Sequence, residues 1–255
     1  MKFILLSDIG AGGAGKIATL CRKSPACRTS RLSAEYGLAP GRPSMTPSNV
    51  TSNMLFTIGH SNHDLDDFLA VLVNNGVKTL CDVRSRPGSF RFPQFNREPL
   101  EAAAGCAKVQ YQFLGESLGG RPDDPRVYRS DGLVDYVARR KSPNFSAGVE
   151  RLLELSRVTN IVLMCAEEDP LQCHRFLMIC PALIERGIAP VHIRRGGILE
   201  SQRDAEDRLL ELHGGAAFTT GALFVSERGT ALEDALRRQT EEFAFRASPE
   251  AIEYF

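Results

Sequence analysis

The sequence contains no tryptophan and no apolar run long enough to cross a membrane. A membrane-spanning helix needs about 20 consecutive, mostly apolar residues. The opening run, MKFILL, is interrupted within a few residues by Asp8, and it is also short for a secretory signal. We therefore expect no membrane partner and a cytoplasmic location.

Net charge is absent as well, because 31 basic side chains balance 31 acidic ones. The two signs are unevenly distributed: residues 1–53 carry seven basic and two acidic side chains, and the remainder carries 24 basic and 29 acidic ones. Sequence-independent binding of nucleic acid depends on neutralising many phosphates. The excess of acidic side chains after residue 53 argues against such binding, although this part of the chain can still contain a local basic groove.

The glycine-rich segment near the N-terminus lacks the residues that its motif requires. Gly10–Lys16 resembles both a dinucleotide fingerprint and a phosphate loop, but Ile17 stands where a phosphate loop needs Ser or Thr for magnesium. Glu35 has the spacing of a ribose-binding acid but follows no strand-like sequence. The Pro- and Ser-containing stretch that follows is typical of a linker. We interpret residues 1–53 as a disordered or non-native extension, with a targeting peptide as the alternative.

From Leu55 onward, short apolar runs alternate with helix-periodic segments. This alternation predicts an α/β fold with a mostly parallel sheet of about five strands and helices on both faces. We expect a single domain at 54–246 and a C-terminal tail at 247–255. The expected strands are 55–58, 77–83, 109–114, 160–164 and 189–193. The expected helices are 64–75, 99–106, 131–140, 145–158, 170–186, 202–213 and 230–244.

Polar side chains come directly after these strands. In parallel sheets, ligands bind beyond the carboxyl ends of the strands. A core does not require a polar group at every strand end, so this edge is predicted to hold the site. The side chains concerned are His60, Ser61, Asp82, Arg84, Glu116, Cys165, Glu167, Glu168 and, in the last strand, His192.

The segment Cys165–Arg175 contains the candidate catalytic group. Asp169 before Pro170 predicts a helix start, and Gln172 fits a capping box. A thiol that faces a helix start can have a lowered pKa, so Cys165 is the candidate nucleophile, with an inert structural thiol as the alternative. The candidates for proton transfer are Glu167, His60 and His174, and Arg175 is a candidate for anion binding.

Cys173 shares a helical face with apolar residues, which predicts a buried packing role. Together with Cys165 and His174 it offers metal ligands, but the spacing matches no closed zinc pattern. We therefore expect no metal and no cofactor. Metal-dependent hydrolysis remains an alternative that elemental analysis would check.

Residues 82–97 contain four arginines, three phenylalanines and no acid after Asp82. Arginine binds phosphate bidentately and aromatic rings stack on bases. Four arginines in one loop repel one another unless an anion neutralises them, which predicts contact with a nucleotide or nucleic acid. The alternative is a surface loop whose phenylalanines pack on the domain. The candidate substrate- or anion-binding residues are Ser61, Asp82, Arg84, Arg86, Arg121, His174 and Arg175, with Asp82 orienting an arginine.

Six motifs recur in a defined order: TIGHS (57–61), CDVRSRP (81–87), FLGESLGGRP (113–122), CAEEDPLQCHR (165–175), VHI (191–193) and LRRQTEEFAFR (236–246). Together they resemble the family catalogued as domain of unknown function 488, over about Leu55 to Arg246. The resemblance implies an α/β domain. Some members carry a DNA-repair label, and no settled reaction carries over. The sequence departs from the expected pattern at Ser201 and Gln202, where we expect a histidine near a helix start.

The main hypothesis is an enzyme with an arginine-lined, cysteine-centred site that acts on a nucleotide or nucleic-acid phosphate. The alternative is a non-catalytic nucleic-acid-binding module of a repair complex. The Asp-Val-Arg tripeptide also resembles rhodanese-like domains, in which a cysteine lies in a short loop that ends in arginine. Cys165 and Arg175 are ten positions apart, too far for that loop, so sulfur transfer is a lesser alternative. The sequence does not indicate an oligomeric state.

Overall fold

The computed structural model describes residues 53–214 and 225–248. The expected N-terminal extension up to residue 52, with its glycine-rich segment, and residues 249–255 of the expected tail lie outside the described residues. The strands are β1 (Leu55–Gly59), β2 (Thr79–Asp82), β3 (Gln110–Phe113), β4 (Ile161–Cys165), β5 (Val191–Ile193) and β6 (Leu199–Ser201). The α-helices are α1 (Leu65–Asn74), α2 (Arg97–Cys106), α3 (Gly115–Leu118), α4 (Tyr136–Arg140), α5 (Pro143–Val158), α6 (Cys180–Ile184), α7 (Gln202–Leu212) and α8 (Val225–Phe243).

The six strands form one sheet in the order β3-β2-β4-β1-β5-β6. All neighbours are parallel except β5 and β6, so the expected mostly parallel α/β sheet is confirmed. The sixth strand was not expected. It follows a tight reversal in which Gly196 and Gly197 adopt φ angles of 74° and 77°, and Arg194 N–H donates to the Ile198 carbonyl at 2.8 Å.

Two apolar layers cover the sheet, one on each face. Alternate residues of β4 point to opposite faces, with Leu163 in one layer and Val162 in the other. The first layer includes Phe145 of α5, and the second includes Phe68 of α1 and Leu100 of α2. The expectation of helices on both faces is therefore confirmed. Among the described residues, no helix combines the length and the apolar character needed to cross a membrane.

The helix expected at 131–140 begins later, at Tyr136. The Asp135 carboxylate accepts hydrogen bonds from two N–H groups of the first turn and caps α4 there. The preceding residues pair instead with the C-terminal segment, since Val134 N–H donates to the Phe245 carbonyl at 3.0 Å. Ala247 N–H donates to the Gly132 carbonyl at 2.9 Å, and Ala247 is buried. Residue 247, the first of the expected tail, is thus packed against the segment that precedes α4.

The continuous helix expected at 170–186 is wrong. Pro170–Gln172 forms a 3-10 turn, Cys173 is extended with φ −135°, and Arg175–Ile179 forms a π-helix that leads into α6. Pro181 explains part of the break, because proline has no N–H and its ring clashes with the carbonyl four residues earlier. The π turn is closed by a hydrogen bond from Cys180 N–H to the carbonyl five residues back. Cys173 therefore precedes the helix instead of lying in its first turns.

Candidate functional site

The carboxyl ends of β1, β2 and β4 border a cavity of about 630 Å³. Its walls combine cationic, thiol and aromatic groups. Eight of the ten site residues predicted from the sequence line it, and Asp82 and Arg175 do not. The eight are His60, Ser61, Arg84, Arg86, Arg121, Cys165, Glu167 and His174.

The loops after β1 and β4 are joined through their backbones. His60 N–H donates to the Cys165 carbonyl at 2.9 Å, and Ser61 N–H donates to the Ala166 carbonyl at 2.8 Å. A Cβ atom on Gly59 would lie 1.7 Å from the Glu167 carbonyl oxygen, so only glycine permits this approach. The glycine of the TIGHS motif therefore brings two chemistry-bearing loops to one wall of the cavity.

Two thiols, an imidazole and a carboxylate meet at this wall. The Cys165 thiol donates to Glu167 Oε2 at 2.9 Å and lies 3.6 Å from His174 Nδ1. Cys173 Sγ lies 3.8 Å from the same Nδ1 atom. His174 Nε2 lies 3.0 Å from the Val83 carbonyl oxygen, which can only accept a hydrogen bond. Nε2 therefore carries a proton, and Nδ1 faces both thiols.

Burial and mutual contact set the protonation of this cluster. The hydrogen bond to Cys173 and burial raise the pKa of Cys165. Burial opposes ionisation of Cys173, but the Cys165 hydrogen bond and the Arg175 and His174 cations lower its pKa below the usual value. Burial raises the pKa of Glu167. For His174, burial is outweighed by the Cys173 thiolate, which raises the imidazole pKa. Contact between the thiols therefore favours ionisation of Cys173 over that of Cys165, whereas Cys165 is the sulfur that lines the cavity.

Arg175 holds the loop that follows β4. Its guanidinium is 1% exposed and donates to the Glu167 carbonyl at 2.6 Å and to the Glu168 carbonyl at 2.8 Å. Its backbone N–H lies 3.5 Å from Cys173 Sγ. The anion-binding role expected for Arg175 does not fit this position, because these buried contacts keep the guanidinium out of the cavity lining.

Asp82, Arg84 and His60 form a buried chain of hydrogen bonds. Arg84 Nη2 lies 2.6 Å from Asp82 Oδ2, and Arg84 Nη1 lies 3.2 Å from His60 Nε2. Burial and the Arg84 cation lower the pKa of His60 to about 4. Neutral His60 donates from Nδ1 to the Ser61 carbonyl at 3.0 Å, and its ring stacks on Phe95. His60 is therefore suited to positioning Arg84, since its lone pair already accepts from the guanidinium.

Three other arginines face the cavity without a carboxylate partner. Arg86, Arg91 and Arg121 are exposed and make no ion pair with any carboxylate of the described residues. The Arg121 guanidinium lies 4.7 Å from the centre of the Phe245 ring, and Arg91 lies 5.5 Å from that of Phe92. Their positive charge is available to an anion, in contrast to that of Arg84.

Comparison with known proteins finds one family model that matches part of the chain. Residues 64–179, which are 116 of the 255 residues, match the family model described as Domain of unknown function DUF488. The match spans the arginine loop, both thiols and His174, and it confirms the resemblance inferred from the motifs. No curated protein and no solved structure matches the chain.

Several expectations about the site residues need correction. His192 is the central residue of β5 and does not line this cavity: its ring nitrogens lie 2.8 Å from Thr57 Oγ1 and 3.1 Å from Gln202 Oε1. Gln202, at the position where a histidine was expected, is thus a buried partner. Glu168 forms an ion pair with Arg194 outside the cavity, and Glu116 is exposed and does not line it.

The sequence analysis missed three aromatic residues of the cavity wall. Tyr136 of α4 and Phe243 and Phe245, at and just after the end of α8, line it beside Arg91 and Phe92 of the predicted arginine loop. Phe243 and Phe245 lie within the LRRQTEEFAFR motif, which was used only for the resemblance. That motif was the only sequence feature that pointed to these two residues, because the local pattern does not predict that the C-terminal helix packs near the sheet edge.

Proposed function

We propose that this protein is a cytoplasmic enzyme that acts on a nucleotide or nucleic-acid phosphate, with Cys165 as the nucleophile. One observation carries the proposal: the thiol of Cys165, the imidazole of His174 and the carboxylate of Glu167 meet at the wall of a cavity that also presents three arginines without carboxylate partners. Such a nucleophile and base within reach of each other is the arrangement that covalent catalysis uses.

Arg86, Arg91 and Arg121 are the proposed phosphate-binding groups. Guanidinium groups form paired, charge-assisted hydrogen bonds with phosphate oxygens. The rings of Phe92 and Phe245, beside two of these arginines, offer stacking surfaces for a base. Arg84 lines the same wall, where Asp82 neutralises its charge and fixes its orientation.

In the proposed reaction, Cys165 Sγ attacks an electrophilic centre next to the bound phosphate. The thiol proton passes to the neutral form of His174, in which Nε2–H donates to the Val83 carbonyl and Nδ1 has a lone pair that faces the thiol. The leaving group departs with its electron pair and takes a proton from Glu167, whose pKa burial raises.

Thiol labelling tests the proposal. We expect iodoacetamide to modify Cys165 in the native protein before it modifies Cys81, Cys173 or Cys180, because Cys165 is the one of these four thiols that lines the cavity. Inorganic phosphate or a nucleoside monophosphate should slow this labelling in the wild type and not in Arg86→Ala or Arg121→Ala. The matched control is Arg151→Ala, an exposed arginine of α5 paired with Glu154, which should keep the protection. Earlier modification of another of these cysteines, or labelling that is insensitive to anions, would remove Cys165 as the nucleophile.

One exposed side chain favours a second candidate, a non-catalytic nucleic-acid-binding module of a repair complex. Phe90 is fully exposed, although its loop is held by hydrogen bonds such as that from Ser89 N–H to Asn96 Oδ1 at 2.6 Å. A fixed, exposed ring suits stacking on a base of single-stranded nucleic acid. Binding of a single-stranded oligonucleotide that weakens with salt, survives Cys165→Ser and is lost in Phe90→Ala would favour this candidate.

A further inference from the structure

The Cys165, Cys173 and His174 side chains are spaced as ligands of one metal ion. Their Sγ, Sγ and Nδ1 atoms all lie within 4.8 Å of one another. The two sulfur–nitrogen distances are 3.6 and 3.8 Å. Zinc bonds of about 2.3 Å to sulfur and 2.0–2.1 Å to nitrogen place such atoms about 3.6 Å apart in a tetrahedron. The observed spacing therefore matches two edges of a zinc tetrahedron.

The groups behind these atoms are those that usually support a metal site. A histidine ligand commonly donates its second ring N–H to a carbonyl, which fixes the tautomer. His174 Nε2 has such a partner in the Val83 carbonyl at 3.0 Å. The Arg175 backbone N–H lies 3.5 Å from Cys173 Sγ, where it stabilises a thiolate. The first contact leaves a lone pair on His174 Nδ1, and the second favours the Cys173 thiolate, so that both atoms can bind a metal ion.

The chemistry of the three ligand atoms indicates which metal ion they would bind. Two thiolates and an imidazole favour zinc over magnesium or calcium, which prefer oxygen ligands. Two thiolates also neutralise a divalent cation, so the buried cluster would carry no excess charge. The sequence offered these three ligands without a recognised zinc spacing, and the extended conformation of Cys173 brings together two thiols eight positions apart.

We propose that Cys165, Cys173 and His174 bind one Zn²⁺ ion, with the fourth position directed toward the cavity. Cys165 and His174 line that cavity and Cys173 does not, so an ion held between them has an open side there. Glu167 Oε2, 2.9 Å from Cys165 Sγ, lies beside this open position. The inference goes beyond the proposed function, which requires no metal. Zinc-bound Cys165 is unavailable as a nucleophile, so zinc binding should stop the modification of Cys165 by iodoacetamide.

Cobalt(II) titration of the full-length, reduced and chelator-washed protein tests this site. One equivalent should produce thiolate-to-cobalt charge-transfer absorption with the visible bands of a tetrahedral complex, and zinc should abolish both. Cys173→Ser should weaken binding by about 100-fold or more, at least the effect of losing a second-shell contact. Cys81→Ala removes another buried free thiol and should leave the spectrum unchanged.

The outcomes separate this inference from the proposed function. A wild-type spectrum without charge-transfer absorption overturns the metal site, even when anion-protected labelling of Cys165 succeeds. A cobalt complex in a protein whose metal-free Cys165 labels slowly supports the metal site and removes the nucleophile. If Cys173→Ser does not fold, iodoacetamide labelling of the wild-type protein tests the site instead. Zinc should slow the modification of Cys165 in proportion to the fraction of protein that binds zinc. An unchanged labelling rate at saturating zinc overturns the site.

Discussion

Gly120 lies against the ring of His174, so that a Cβ atom added at residue 120 would meet His174 Cγ at 2.8 Å and Nδ1 at 3.1 Å. Real Cβ atoms do not tolerate the shorter distance, and the imidazole would have to move. The glycine pair in the FLGESLGGRP motif, interpreted from the sequence as a flexible turn, thus sets the position of a side chain at the thiol cluster.

Gly120→Ala should displace His174 from the two thiols. We expect slower labelling of Cys165 and a destabilisation of about 1–3 kcal/mol, which is typical of overpacking. Labelling kinetics and urea unfolding of the same samples would measure both effects. Gly105→Ala is the matched control, because a Cβ there meets nothing within 4 Å, and alanine within α2 should stabilise by about 0.5–1 kcal/mol. An unchanged labelling rate in Gly120→Ala would show that the imidazole position does not matter.

Arg175→Met should destabilise the protein strongly. The substitution leaves the buried carbonyls of Glu167 and Glu168 without their charged donor, and hydrogen bonds to charged groups contribute about 1.5–3 kcal/mol each. We expect a loss of about 3 kcal/mol or more in urea unfolding. Arg186→Met removes a surface contact with Glu150 and should change stability by about 0–1 kcal/mol. Similar losses in the two variants would contradict the role assigned to Arg175.

Asp82→Asn should also be costly, since it leaves the buried Arg84 guanidinium without its counter-charge. Breaking a buried pair from one side typically costs about 3–5 kcal/mol. Tyr111→Phe offers a graded comparison, because it removes only the hydroxyl that donates to Asp82 Oδ2 at 2.8 Å and should cost about 1 kcal/mol. Chemical denaturation would rank the two, and a larger loss for Tyr111→Phe would refute the assignment.

Stability should fall as the pH falls from about 6.5 to about 4, in part through His192. Burial and the nearby Arg175 cation lower the pKa of His192 from 6.5 to about 4 in the folded state. Between these values the unfolded chain binds a proton that the folded chain does not, so stability rises with pH by up to about 1.4 kcal/mol per unit for this group. His192→Gln should reduce the slope in that window, measured by unfolding at several pH values. A slope equal to that of the wild type would remove His192 as a source.

The alternation of apolar runs was enough to predict the strands, because burial on both faces of a parallel sheet leaves a continuous apolar signal, as in IVLM before Cys165. The same rule placed His60, Arg84 and Cys165 at one edge. It failed for β6, where three residues carry too little pattern and the pairing depends on two glycines with positive φ.

The site itself was only partly predictable. Residue type and position relative to a strand indicated Cys165 and Glu167, but whether an arginine is free or engaged depends on tertiary contacts. Arg175 and Arg84 have buried hydrogen-bond partners, whereas Arg91 forms no ion pair with a carboxylate of the described residues. The local sequence pattern does not predict this difference. The conformation of Cys173 was misjudged because its apolar spacing fits a helix, whereas the extended backbone there follows from the break in that helix.

The contacts of Arg175 also determine whether the loop after β4 loses its conformational entropy during folding or during ligand binding. The side chain fixes the loop after β4 through two carbonyls, and its own N–H reaches Cys173 Sγ. The part of the cavity wall that contains Cys165 and Glu167 is thereby ordered during folding, before any ligand binds. Association with a small anion should therefore proceed without a large entropic penalty for arranging this wall, as in other preorganised sites. Loosening residue 175 would transfer that ordering to the binding step and weaken affinity even where the arginines that contact the anion are intact.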